Sequence, residues 1–300
     1  MKVWTSPYQL RRPEGKPRTG ALLKVEFESG LIGYADCHPW IEFGDPPLEE
    51  QLALLRKGVQ TRLMRRSLEY ARLDADARRE KKGWFDHLLI PESRALLPRM
   101  GPVDAWLERG FRSFKFKIQS PIEPFLHPLE KLVEQGLEIC LDANGRLSND
   151  EFERLFDLFP QILYEDPMPF DLGLWQMWQE KGARLAADKN VEMAISHPES
   201  AGTLVLKPAI QDPEILSDAR NQTIFITSYL DHPVGQLCAA FTAAQFAPDS
   251  LCGIATHHCY DLNQYSELLG NMPRLNSAPG KGVGFDQFLE NEKWEVVLNI

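Results

Sequence analysis

The sequence predicts an α/β protein: a modified TIM barrel of (β/α)7β type with an α+β capping domain. Three observations carry this. A strand–turn–strand pattern is confined to the first ninety residues, eight short apolar runs separated by amphipathic segments follow, and five consecutive runs end on an ionisable side chain.

In the first part, apolar runs over 21–27 and 31–34 flank Glu28-Ser29-Gly30, a polar turn of the kind that joins antiparallel strands. Residues 48–77 carry apolar positions at helical spacing among many arginines, with Pro46-Pro47 as a start signal and Gly58 as an interruption. Residues 1–90 are therefore assigned to the cap. The barrel strands are predicted at 94–98, 113–118, 137–142, 162–165, 184–188, 203–207, 223–228 and 251–254, with helices between them such as 149–159 and 212–221. Residues 91–282 are short for eight βα units, so one helix is expected to be missing. The tail after Pro279, GKGVGFDQFLENEKWEVVLNI, holds no further βα unit and is expected to pack back, 283–300 completing the cap. No internal repeat beyond the βα period is evident.

The composition is that of a globular protein, with 43% hydrophobic and 25% charged residues in 300. A formal charge of −10 disfavours a general nucleic-acid or anionic-membrane binder, which would begin by repelling its partner. No apolar run approaches the roughly 20 residues that cross a bilayer, and the start, MKVWTSPYQLRRPEGK, lacks the apolar core of a secretion signal. A cytoplasmic location is expected. Cys37, Cys140, Cys238, Cys252 and Cys259 are odd in number and form no CxxC, so they read as scattered reduced thiols.

Barrel strand interiors are apolar, so ionisable residues at strand C-termini mark function. They are Lys115 and Lys117 in SFKFKIQ, Asp142 in LEICLDANG, Glu165 in ILYEDPMP, Asp188 in RLAADKN and Lys207 in TLVLKPA. From Lys117 onward each follows the last by 19 to 25 residues, about one βα unit, which brings them round the rim at one height. Three converging carboxylates repel one another and take up protons unless a cation lies between them. An all-oxygen donor set favours a hard ion such as Mg²⁺. The competing assignment makes each acid the cap of the helix that follows it.

Lys115 and Lys117 are two apart on a strand and share a face. A lysine beside another ammonium and a metal ion has its charged form disfavoured and becomes usable as a general base. Lys207 enters from the far side of the acids. Lysines opposed across a metal-bound carboxylate can remove or return a proton at the adjacent carbon while the ion stabilises the enediolate. On its own, K-x-K suits an exposed edge strand equally well.

In this set the sequence resembles the enolase superfamily, in its muconate-lactonising subgroup with a lysine on both sides of the site. Within that subgroup it resembles the o-succinylbenzoate synthases of menaquinone biosynthesis. The resemblance covers nearly the whole chain, split cap and barrel included. It implies Lys117 as base, Lys115 as its support, Asp142, Glu165 and Asp188 as Mg²⁺ ligands, and Lys207 as the opposite lysine. Asn144 in LDANG and Pro167 in YEDP fit the pattern, and Asn144 is taken as a substrate contact. The implied reaction has Lys117 take the α-proton of 2-succinyl-6-hydroxy-2,4-cyclohexadiene-1-carboxylate and then protonate the departing hydroxyl on the same face, Lys207 stabilising the enediolate. Residues 11–20, RRPEGKPRTG, resemble the mobile loop that closes over substrate, with Arg18 and Thr19 as contacts. Ser228 in FITSYLDHPVG falls in the region that meets the succinyl carboxylate, and also suits a helix cap.

The sequence also departs from the family pattern. Lys189-Asn190 follow Asp188 where many members carry an acid, which leaves the outer support of the metal unassigned, and no His–Asp base pair is evident. His232 reads as a loop or helix start and His257-His258 as a solvated loop. Most of the seven tryptophans read as core, with Trp40 in CHPWIEFGD able to face the pocket. The same metal and lysines would serve an N-succinylamino-acid racemase or dipeptide epimerase. A Schiff-base aldolase using Lys207 as nucleophile and a barrel that binds without chemistry remain open. The expected partner is a small-molecule carboxylate, without nucleic acid or membrane. Oligomeric state is left open, a monomer being compatible.

Overall fold

A computed structural model describes residues 1–12, 16–97, 99–219 and 221–299. The chain opens with an antiparallel meander of β1 (Lys2–Leu10), β2 (Arg18–Glu26) and β3 (Ile32–Cys37). Between β2 and β3 the Phe27 N–H donates to the Leu31 carbonyl at 2.9 Å, and Gly30 takes the left-handed φ of 76° that the turn requires. Next come α1 (Leu48–Arg56) and α2 (Arg62–Arg79), separated where the sequence predicts by Gly58 at φ 76°. Thr61 caps α2 by accepting from the Met64 N–H at 3.1 Å. α2 lies so close to β3 that a Cβ on Gly33 would fall 1.8 Å from the Ala71 carbonyl oxygen, so only glycine allows this packing.

The second part alternates β4 (Ala95–Leu97), α3 (Asp104–Glu108), β5 (Ser113–Lys117), α4 (Glu123–Glu134), β6 (Glu138–Asp142), α5 (Asn149–Leu158), β7 (Leu163–Glu165), α6 (Leu172–Glu180), β8 (Arg184–Ala187), α7 (Val191–Ser196), β9 (Thr203–Leu206) and β10 (Thr223–Ile226). These seven strands form one parallel sheet in chain order. Residue 98, at the end of the first predicted run, lies outside the described residues. Two expectations are corrected. The predicted helix at 212–221 is only a 3-10 turn over Pro213–Asp218, because Asp212 accepts from the Glu214 N–H at 3.0 Å and turns the chain at once. The run at 251–254 is not a full strand. It is short and interrupted by Gly253, and single parallel bridges link Ser93 to Cys252 and Thr227 to Gly253. Those bridges still close the ring: the Arg94 N–H donates to the Cys252 carbonyl at 2.9 Å, and the Gly253 N–H to that of Ile226 at 2.9 Å.

Cys140, Leu163, Ala186, Val205 and Phe225, one each from β6 to β10, form a separate apolar cluster. A larger core joins the outer helices to the four-stranded sheet. The chain ends with α8 (Pro233–Phe246), α9 (Gln264–Leu269), α10 (Asp286–Leu289) and β11 (Glu295–Asn299), and β11 pairs antiparallel with β1 from Lys2–Asn299 to Thr5–Glu295. All five cysteines are free thiols. Among the described residues no helix is long and apolar enough to cross a membrane.

Sheet and barrel meet over two buried acids. Asp36 of β3 accepts from the Tyr8 hydroxyl at 2.6 Å and from the His232 N–H, ahead of α8, at 3.1 Å. Asp231 is its neighbour. A Cβ on Gly235 would lie 2.6 Å from an oxygen of each, so glycine leaves them their room. Burial pushes both carboxyls up, Asp231 to about 7, and the Asp231 charge raises Asp36 further. The folded protein thus binds more protons than the unfolded chain between about pH 4 and pH 7. The stability this lends is complete below the unfolded value and is lost as pH rises through the folded one. Asp231→Asn should therefore raise the melting midpoint at pH 8 by roughly 5 °C and leave it unchanged near pH 4. Circular dichroism melts at both pH values check this, and an equal effect at the two would refute it.

Candidate active site

The parallel register places Lys117 beside Asp142 and Asp142 beside Glu165, so three adjacent strands end on one charged row. Asp188 and Lys207 stand one residue past β8 and β9. None of the three acids caps the helix after it, since the cap positions of α5, α6 and α7 belong to Ser148, Asp171 and Asn190. β5 is flanked by β4 and β6, so K-x-K does not lie on an edge.

The Lys115 ammonium donates to Glu165 Oε1 at 2.6 Å and lies 3.1 Å from Asp142 Oδ2, and Lys207 donates to Asp188. Burial opposes the Lys115 charge, yet Asp142 and Glu165 outweigh it and hold its pKa well above the ordinary value. Asp142 is held low: burial works against it, but Lys115 and Lys117 prevail. Burial lifts Glu165 to about 7 against the pull of Lys115, with Asp142 and Asp188 adding to the rise. Lys117 is exposed at the end of β5 and has no ion pair among the described residues; partial desolvation of its ammonium by the surrounding walls lowers its pKa against the pull of Asp142, helped by the Lys115 and Lys207 charges.

Among the described residues no three His, Cys, Asp or Glu side chains are gathered closely enough to hold a metal ion. The ammonium groups of Lys115 and Lys207 stand against the acids instead. The donor chemistry fits a hard divalent cation all the same. Asp142 and Glu165 are 5% and 2% exposed, and the donors are all carboxylate oxygens, the set a hard divalent ion prefers.

A tight turn follows Asp142. Asn144 and Gly145 have φ of 52° and 75°, and the Arg146 N–H donates to the Ala143 carbonyl at 3.1 Å, the geometry of a type I′ turn. The Asn144 amide donates to Asp142 Oδ1 at 2.8 Å, Lys189 Nζ to the Asn144 carbonyl at 2.6 Å, and the Gly145 N–H to the Asp166 carbonyl at 2.6 Å. The Asp166 carboxylate accepts from the Asp188 and Lys189 N–H groups, each at 3.1 Å, and is raised to about 6 by burial and then by Asp188. Sequence reasoning missed Asp166 as the support of the strand-end acids. The paired acids of YEDP were the available signal.

Two cavities flank this turn and share Phe43, Asn144 and Arg146. One, of about 540 Å³, takes in Lys117 and Arg99. The other, of about 490 Å³, takes in Lys207, Asp188, Lys189, Arg62 and Tyr229. The first wall carries three cations and no acid, and the second four cations against Glu42 and Asp188. A chain of net charge −10 thus presents a basic mouth, which attracts small anions.

Other predicted positions fall elsewhere. Arg18 and Thr19 already belong to β2, so the loop read at 11–20 is shorter, and its residues 13–15 lie outside the described residues. Arg18 grips Glu42 at 2.9 and 3.2 Å and stacks 3.4 Å from Trp40, while Thr19 is exposed opposite Gln9. Trp40 lies buried beside Phe43, with ring centroids 5.1 Å apart, and lines neither cavity. Ser228 is buried, bonded to the Thr256 hydroxyl at 2.6 Å, and lines neither cavity; the residue that caps α8 is His232. His257 and His258 are not solvated: His257 is held by Gln236 and the Gly270 carbonyl, and His258 packs 4.5 Å from Trp106.

The family described as O-succinylbenzoate synthase, N-terminal domain, matches residues 3–77. An o-succinylbenzoate synthase of Bdellovibrio bacteriovorus is 33% identical over 98% of this chain and 98% of its own. Muconate lactonizing enzyme from Pseudomonas putida superposes with a TM-score of 0.76 at 17% identity, covering 94% of this chain and 95% of that one. A dipeptide epimerase from Enterococcus faecalis, complexed with Mg and L-Leu-L-Tyr, gives 0.78 at 15%, covering 94% and 98%. At such identities these two establish the fold, a barrel with a cap.

The contacts of Lys115 generate an expected outcome. Lys115→Met should cost about 3 kcal/mol of stability by leaving two buried acids without their ammonium. Mg²⁺ should restore part of that loss in urea unfolding. Unaltered stability would show that the acids do not depend on Lys115.

Proposed function

Because the chain belongs to the o-succinylbenzoate synthase family of the enolase superfamily and is a lyase, we propose that it dehydrates 2-succinyl-6-hydroxy-2,4-cyclohexadiene-1-carboxylate to o-succinylbenzoate in menaquinone biosynthesis, with Mg²⁺ as cofactor. The observation that carries this is that Lys117 and Lys207 line two adjoining cavities that share Phe43, Asn144 and Arg146, while the strands that end on the acids, β6 to β8, lie between β5 and β9 in the sheet. Asp142, Glu165 and Asp188 would hold the cation, which when bound supplies positive charge to the reacting carboxylate.

Lys117 acts as the base, and its lowered pKa and freedom from ion pairs support the role. Its neutral amine takes the α-proton, and the C–H electron pair becomes ring double bond as the C–O bond breaks. The resulting ammonium returns the proton to the departing hydroxyl, which leaves as water, and Lys117 ends neutral. Lys207, ion-paired with Asp188, faces the negative charge that develops on the carboxylate. The basic mouth supports a small-molecule carboxylate as partner, and five free thiols support a cytoplasmic location.

A racemase or epimerase reading draws on the same two lysines, which could serve opposite faces of a carbon. The aldolase reading needs Lys207 as a free amine, and the Asp188 contact weighs against it.

Purified protein with Mg²⁺ should convert the cyclohexadiene to an aromatic product with a new ultraviolet band, and EDTA should abolish this. Deuterium exchange into both enantiomers of an N-succinylamino acid without any dehydration would overturn the proposal in favour of the racemase. Lys117→Ala should lower turnover about 10³-fold or more with Mg²⁺ affinity by calorimetry unchanged. Asp188→Asn should weaken that affinity on the order of tenfold or more, and an unchanged titration would remove Asp188 from the ligand set.

A further inference from the structure

We propose that Arg146 binds the second carboxylate of the substrate and so sets a preference for dicarboxylates, an inference that rests on the reaction proposed above. One carboxylate of that substrate is spoken for by the lysines and by the cation that the strand-end acids would hold. The other sits on a flexible succinyl chain and needs a cation that faces the mouth, has donors to spare and stands on a rigid base.

Among the described residues the cations on the two cavity walls, apart from the lysines of the reacting centre, are Arg62, Arg99, Arg146 and Lys189. Lys189 is spent on the Asn144 carbonyl. Arg62 lines the Lys207 side alone and Arg99 the Lys117 side alone, whereas Arg146 lines both. No hydrogen bond, ion pair or ring contact engages its guanidinium among the described residues, so a planar fork of donors is open to a carboxylate.

The backbone beneath Arg146 is pinned. It closes the type I′ turn four residues past Asp142, and its neighbours on either side are tied to the next strand end, Gly145 to the Asp166 carbonyl and Leu147 to that of Pro167 at 3.1 Å. The anchor that the resemblance suggests for this group, Ser228, is buried against Thr256 and lines neither cavity. The cation therefore reaches the mouth from the β6 side, on the turn that also orients Asp142.

Calorimetry with Mg²⁺ present, comparing o-succinylbenzoate with 2-butanoylbenzoate, which has a methyl in place of the terminal carboxylate, tests this. Wild type should prefer the dicarboxylate about tenfold or more, as a charged hydrogen-bonded pair implies. Arg146→Ala should erase that preference by weakening o-succinylbenzoate alone, and Arg146→Lys should keep part of it. On the cyclohexadiene, Arg146→Ala should raise KM with kcat within a few-fold. Equal losses for both ligands, no loss, or a fall in kcat at unchanged KM would each overturn the role. If wild type binds and converts its substrate but Arg146→Ala changes nothing, only this inference fails. If wild type binds neither ligand, the reaction falls with it.

Discussion

Opposite charges buried at one end of a parallel sheet constrain everything else in this molecule. Lys115 and Lys207 stand half-buried against Asp142, Glu165 and Asp188, and removing Lys115 would leave two buried acids without their ammonium. The parallel register makes this possible, setting Lys117, Asp142 and Glu165 side by side while Asp188 and Lys207 sit one residue past their strands. Below that row the strands carry Cys140, Leu163, Ala186, Val205 and Phe225, none of which competes for the charges. Lys117 is the exception in the row. It is exposed at the end of β5, has cations for neighbours and forms no ion pair among the described residues.

Much of this was legible in the sequence because a charged residue ending an apolar run is conspicuous, and a series of them at βα spacing is what a shared barrel rim requires. Helix caps and an edge strand compete with that assignment on local grounds; both turn on neighbours, and the neighbours are visible only in three dimensions. Asp166 was missed for a geometric reason. It follows Glu165 in sequence, but a φ of 40° turns its side chain toward the backbone of Asp188 and Lys189, and no composition signals that angle. The partner of Ser228, Thr256, was not legible because it lies 28 residues away in the chain. His257 and His258 look solvated as letters in a loop, yet Gln236 and Gly270 hold a buried His257 and Trp106 packs against a half-buried His258. The loop at 11–20 shows why Pro and Gly content is a poor ruler: pairing with β1 already organises the chain from Arg18 onward.

Net charge and local charge point in opposite directions. The acids that make the chain negative are spread over the helix surfaces and strand ends, while the walls around the strand-end acids are lined mainly by cations. An acidic body with a basic mouth still draws anions inward, and the sign of the whole conceals the sign of the part.

The ring is held unevenly. From β4 to β10 each strand runs alongside the next, but the circle is sealed at Cys252 and Gly253 by one bridge on either side. The charged groups occupy β5 to β9, the stretch of the arc farthest from that join. Slow breathing of the barrel is expected to begin at the seam, with amide exchange there ahead of exchange on the opposite wall. The charged row is thus mounted on the continuously paired arc of the hoop, away from its seam.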